Sequence, residues 1–119
     1  MVGTAGAQQT FFIDTVAGPS WPYPDYPNSV AVASDGTIYL ADRDSHTVLR
    51  VETDGSLSVF AGTGFAGFSG DGDAAAAAQL NTPTGVAVTA DDGTVYIADR
   101  ANNRIRKVDV ATRIITTVA

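Results

Sequence analysis

YIADRANNRIRKVD, Tyr96 to Asp109, gathers two aspartates, four cationic residues and two asparagines into fourteen positions. Charge at that density suggests a chemical site. The same pattern occurs once more, however. YLADRDSHTVLRVE, Tyr39 to Glu52, lies 57 residues upstream and matches it at Tyr39 and Tyr96, Ala41 and Ala98, Asp42 and Asp99, Arg43 and Arg100, and Val51 and Val108. Catalytic constellations are usually asymmetric, whereas a pattern repeated at a fixed period marks a repeated structural unit.

Working outward, the two copies begin PNSVAVASDGTIYLADR at Pro27 and PTGVAVTADDGTVYIADR at Pro83. Their offset starts at 56, becomes 57 after the extra residue in Ala90-Asp91-Asp92-Gly93, and reaches 58 near Ala61 and Ala119. Insertions fall between apolar segments and leave the segments themselves intact, as loops vary between equivalent strands. Each copy holds four short apolar segments: Val30 to Ala33, Thr37 to Ala41, Thr47 to Glu52 and Leu57 to Ala61, then Val86 to Thr89, Thr94 to Ala98, Arg104 to Val110 and Ile114 to Val118. Asp-Gly pairs between them supply the positive φ of tight hairpins, and Asn102-Asn103 tolerates the same backbone region. The copies therefore predict two four-stranded antiparallel meanders. A further segment, Thr10 to Ala17, ends like Ser58 to Ala61 and reads as the outer strand of a preceding unit.

The segments are apolar without clean alternation, as expected of strands covered on both faces. Four-stranded units of this length, each covered by its neighbours, predict blades of a β-propeller. The expected organisation is a leader over residues 1–9, an outer strand over 10–18, a first blade over 27–62, a linker with a short helix over 63–82, and a second blade over 83–119.

PTGVAV, DDGTVYIADRANNRIRKVD and IITTVA together resemble the NHL repeat, and GFAGFSGDGDAAAAAQLNTP resembles the loop between many bacterial NHL blades. The resemblance covers Thr10 to Ala119. It implies a propeller, commonly six-bladed, that usually serves as a binding platform for proteins or RNA, although a few propellers are lyases or lactone hydrolases. It also suggests an exported, extracellular or periplasmic bacterial protein. Two blades do not close a propeller. Each open flank would expose roughly 400 to 500 Å² of apolar surface, on the order of 10 kcal/mol, comparable to the whole stability of a small domain. The expectation is a homo-oligomer, most simply a trimer forming a six-bladed ring.

Composition narrows the function further. Thirteen acidic residues against seven basic ones give a net charge of -6, which argues against a nucleic-acid partner. Five of the seven cations (Arg100, Arg104, Arg106, Lys107 and Arg113) nevertheless fall within fourteen residues, so a local basic patch is expected on an acidic body. With no cysteine there is neither a disulfide framework nor a thiolate metal site. The start, MVGTAGAQQ, lacks a signal peptide's basic and apolar regions, and no apolar run suits a bilayer span.

Individual motifs lean structural. Asp42 and Asp99 are expected to accept hydrogen bonds from the turns that follow them. Arg104, Arg106 and Lys107 are expected to lay their alkyl stems on apolar surface with charges in water. GFSGDGDAAAAAQL, Gly67 to Leu80, lacks the Lys-Ser/Thr of a phosphate loop and the closing Glu of a calcium loop. Asp73 is instead expected to cap a helix over Ala74 to Leu80. The lone His46 reads as a solvated turn residue, and no serine has a base partner. The inner strands, VAVA and VAVT, are expected to turn small apolar side chains to a central channel. WPYPDYP, Trp21 to Pro27, combines rigid prolines with aromatic rings and suits recognition.

These readings converge on an all-β, non-catalytic NHL-type scaffold or protein-interaction platform, with no cofactor, no metal, no nucleic acid and no membrane. Its partners would be itself and another protein, and ligand contacts are expected at Trp21, Tyr23, Tyr26, Phe65 and Phe68. Two other readings stand beside it. One is a propeller lyase or lactone hydrolase whose metal site forms only in the assembled ring, for which bound calcium or zinc would argue. The other is a truncated or engineered fragment with no activity beyond assembly.

Overall fold

The computed structural model describes residues 24–119; the expected leader, the outer strand over 10–18, Trp21 and Tyr23 lie outside them. The first sheet contains β1 (Pro27–Val32), β2 (Ile38–Asp42), β3 (Thr47–Val51) and β4 (Leu57–Ala61). The second contains β5 (Pro83–Val88), β6 (Thr94–Asp99), β7 (Arg104–Asp109) and β8 (Ile115–Thr117). Both are antiparallel meanders in chain order. The chain is thus all-β, and its sheets are two successive propeller blades.

Turn chemistry sets the hairpins. Gly36 and Gly55 take φ of 93° and 89° in the first blade. In the second, the extra residue moves the left-handed position to Asp92 (φ 61°), where a short acidic side chain tolerates it. His46 and Asn103 hold matching conformations, φ 57° and 54°, at equivalent turns.

The linker corrects an expectation. Instead of a helix over Ala74 to Leu80 capped by Asp73, it forms one 3-10 turn over Ala75–Ala77, with Ala74 at the N-cap and no side-chain cap. The linker backbone is already committed to neighbours. Ala75 N–H donates to Arg113 O, Ile115 N–H to Asp73 O, and Gly62 N–H to Ala75 O. Alanine's helix propensity is a weak preference over so few residues, and these tertiary bonds override it.

The core lies between the blades. Tyr39, Val48, Phe60 and Ala61 of the first meet Val95, Ile97, Val108 and Ile115 of the second, with Ala75, Ala78 and Leu80 of the linker filling one end. Tyr39 meets Phe60 edge to face at 4.9 Å.

Candidate functional site

Residues directly opposite one another in an antiparallel pair share a face, so the register assigns every side chain to one side of its blade. In the first blade the row Ala31, Tyr39, Arg50, Ser58 faces the second blade. The rows Val30, Leu40, Leu49, Val59 and Val32, Ile38, Val51, Leu57 face away. In the second blade Val86, Ile97, Arg106, Thr117 and Val88, Val95, Val108, Ile115 face the first, while Ala87, Tyr96, Lys107, Thr116 face away. Side chains of β1 and β5 therefore alternate between blade faces, which corrects the expectation that they line a channel.

The repeat offset makes these rows interchangeable. Each outward row of one blade is the counterpart of an inward row of the other, position by position. Tyr96 is the outward copy of Tyr39, Lys107 of Arg50 and Thr116 of Ser58. Val30 and Val32 are the outward copies of Val86 and Val88. The outward rows carry exposed apolar groups: Val30 is 58% and Val32 61% exposed, and Val59, Tyr96 and Ile105 are also open, whereas Leu49 and Val51 are buried. The molecule thus carries two different outward faces whose strand positions correspond to the two halves of its own blade-to-blade contact, with Leu49 and Val59 of the first standing where Arg106 and Thr117 stand in the second.

Polar latches join the internal contact. Ser34 donates through N–H (2.9 Å) and Oγ to the Asp92 carboxylate. Asn28 Nδ2 donates to Thr84 O at 2.8 Å, and Val86 N–H to Ser29 Oγ at 3.3 Å. Thr82 N–H donates to His46 Nδ1 at 3.0 Å, so His46 is an inter-blade acceptor and not the solvated residue expected. Sequence reading passes over these latches. The signal is present, because Asn28, Ser29 and Ser34 are positions where the copies differ, having Thr84, Gly85 and Ala90 as counterparts.

The repeated aspartates are tethers. Asp42 accepts from Ser45 Oγ in the following turn (2.7 Å), as expected, and also from the backbone N–H groups of Asp25 and Tyr26. Asp99 accepts from Asn102 Nδ2 in its turn and from Asn81 N–H in the lead-in segment. Each aspartate thereby ties the segment entering a blade to that blade's second hairpin.

Arg106 departs from its expected place in water, its side chain being 0% exposed. The guanidinium meets Asp99 at 3.2 Å and Asp71 at 2.9 Å, and donates to Gln79 O and Ser69 O. Burial is tolerable because the charge is paired and its donors are satisfied. Burial pushes the Asp71 carboxyl up, but the Thr117 hydroxyl and Arg106 outweigh it and hold the group below its ordinary range. This cluster pins the linker to the second blade.

Of the expected ligand residues, Tyr26 is exposed with the Arg43 guanidinium 4.6 Å from its ring centre. Phe68 lies 4.8 Å from Arg104 and 4.7 Å from Arg106, and Phe65 is 73% exposed. Tyr26 thus stacks on a residue of the first blade and Phe68 on residues of the second. Among the described residues no three His, Cys, Asp or Glu side chains converge as a metal cage, and no helix is long and apolar enough to cross a membrane.

A family model, the Teneurin NHL domain, matches residues 20–109. The chain belongs to the NHL repeat family. NHL relatives include SUPPRESSOR OF QUENCHING 1, a chloroplastic protein of Arabidopsis thaliana, 38% identical over 86 residues (71% of this chain, 8% of that protein). Human Teneurin-4 is 37% identical over 91 residues, covering 66% of this chain and 3% of that protein. The chain therefore spans less than a tenth of the length of these two curated relatives. Among solved structures, a structural genomics protein of unknown function from Bacteroides thetaiotaomicron aligns with a TM-score of 0.60 at 26% identity, over 68% of this chain and 20% of that one. The chain is an NHL propeller unit, a fold of the protein-interaction type.

Proposed function

We propose that this NHL unit is a non-catalytic scaffold whose two outward blade faces bind copies of the same chain head to tail, most simply three copies in a six-bladed ring, and that the assembled loops form an interaction platform for other proteins. The observation that supports this is the match between rows: the outward Ala87, Tyr96, Lys107, Thr116 repeats the inward Ala31, Tyr39, Arg50, Ser58 in size, ring, charge and hydroxyl. A contact between two different faces is heterologous, and it closes into a ring when the rotation per unit divides a full turn. The exposed Val30 and Val32 supply the apolar area that drives it.

Complementation tests the head-to-tail geometry. Tyr96→Glu blocks one face and Val32→Glu the other, so each variant alone should remain a single chain. Mixed in equal amounts, they should form a one-to-one pair through the two intact faces. A mixture containing only single chains, or a variant that still self-associates, contradicts the proposal.

A further inference from the structure

Two aromatic rings stand in the open on the linker where it crosses from the first blade to the second. Phe65 and Phe68 are both exposed, and Phe68 has two guanidiniums against its ring, those of Arg104 and Arg106. Asn102 Nδ2 donates to Gly67 O at 2.8 Å, which fixes this part of the linker on the turn between β6 and β7. The two cations differ in what they have left to offer. Arg106 is committed to Asp71, Asp99 and two carbonyls. Arg104 is exposed and, among the described residues, its guanidinium pairs with no carboxylate and donates no hydrogen bond. Asp71 cannot serve it, since Oδ1 accepts from Arg106 and Oδ2 from Thr117.

Contact with a ring restricts the rotamers of a guanidinium without using its N–H donors, so the planar fork stays available to a carboxylate. Arg100, at the start of the same turn, is a second exposed cation without a carboxylate partner among the described residues. Packing of a linker does not cover that position: its first-blade counterpart, Arg43, keeps 42% of its side chain exposed although the linker passes Ser45 and His46 of its turn. On a chain of net charge -6, this ridge therefore keeps two uncompensated cations beside two open rings.

We propose that this ridge binds an extended acidic peptide segment of a partner protein, its carboxylates on Arg104 and Arg100 and its apolar side chains on Phe65 and Phe68. The inference rests on the reading of the loops as a protein-interaction platform and does not require the ring. Carboxylate and guanidinium meet through two parallel, charge-assisted hydrogen bonds, and the rings add apolar contact. Two free cations suit a few carboxylates, whereas a nucleic-acid backbone would meet them on a body whose net charge repels it.

The test uses the unaltered 119-residue chain and a fluorescently labelled peptide alternating glutamate with leucine. Its fluorescence anisotropy should rise and saturate at a dissociation constant below about 1 mM, and binding should weaken as salt is raised from about 50 to about 300 mM. Arg104→Gln and Phe65→Ala should each weaken binding at least about threefold, and the double variant at least about tenfold. Thermal melting of each variant verifies its fold. Failure to saturate, or unchanged affinity in the folded double variant, overturns the proposal. Equal binding of the same peptide with glutamine for glutamate overturns the acidic assignment and leaves the protein-interaction platform standing. Saturable binding of a labelled oligouridylate in place of the peptide overturns both. The complementation pair is read separately, so the ridge and the assembly stand or fall independently.

Discussion

Tyr39 and Tyr96 occupy the same position in successive blades, yet Tyr39 is 2% exposed and Tyr96 37%. Their strands share register and turn chemistry, so the difference is the neighbour: Tyr39 has the second blade against it, packs on Phe60 and holds Arg50 through its hydroxyl at 3.3 Å. Burial raises the Tyr39 hydroxyl's pKa, only partly offset by Arg50. Tyr96 presents the same ring to an open face.

In the Val32→Glu background, where assembly is blocked, Tyr39→Ala should cost about 3–5 kcal/mol, as large aromatic truncations in cores do. Tyr96→Ala should change stability by less than about 0.5 kcal/mol. Urea unfolding midpoints compare the two. Equal losses would place Tyr96 in a core that the structure does not show.

Arg106→Leu introduces the residue found at the equivalent position, Leu49, and leaves the fully buried Asp99 carboxylate without its paired cation. Removing one member of a buried pair should cost about 3–5 kcal/mol. The double variant with Asp99→Asn should recover part of that loss. Chemical denaturation measures both, and a neutral Arg106→Leu would show that the cluster does not hold the linker.

Acid should loosen the same cluster. The native Asp71 carboxyl sits below its ordinary 3.8, its burial being outweighed by the Thr117 hydroxyl and Arg106. A depressed native pKa stabilises the fold above the unfolded value, and that contribution is lost as pH falls through the native value. Asp35, held down chiefly by Thr37 N–H, and Asp54, by Ser56 N–H, act in the same direction at their hairpins. Stability should therefore fall below about pH 4, and less steeply in Asp71→Asn. Unfolding midpoints taken across that range test the sign.

Much of the fold is legible because two copies of one pattern stand in one chain. Tyr39-Ala41-Asp42 and Tyr96-Ala98-Asp99, together with the Asp-Gly turns, locate the strands to within a few residues. The two aspartates read correctly as turn acceptors, but their bonds to Asp25 and Asn81 span sixteen or more residues and leave no local trace. Arg106 misleads for a related reason: a cation at a strand position reads as exposed unless its distant partners, Asp71 and the Ser69 and Gln79 carbonyls, are known. The alanine run reads as helix by propensity, although its conformation follows from Gly62 and Arg113.

The Ser34 and Asp92 latch spans the blades on an exposed rim. Ser34→Ala should cost about 0.5–1 kcal/mol, and Asp92→Gly, which keeps the left-handed backbone of that position but removes both acceptors, about 1–2 kcal/mol. Ser34→Ala removes only the hydroxyl bond and leaves the residue 34 N–H donating to Asp92, so the double variant should lose little more than the Asp92 variant alone. A double-mutant cycle from thermal unfolding reads the coupling, and full additivity would rule out the latch.

Solution mass by light scattering tests the central claim most directly. The 119-residue chain should run at a multiple of its 12.2 kDa, three-fold in the simplest ring, and return to one chain when Tyr96→Glu or Val32→Glu is introduced. A stable, folded single chain of the unaltered sequence at every concentration would contradict it.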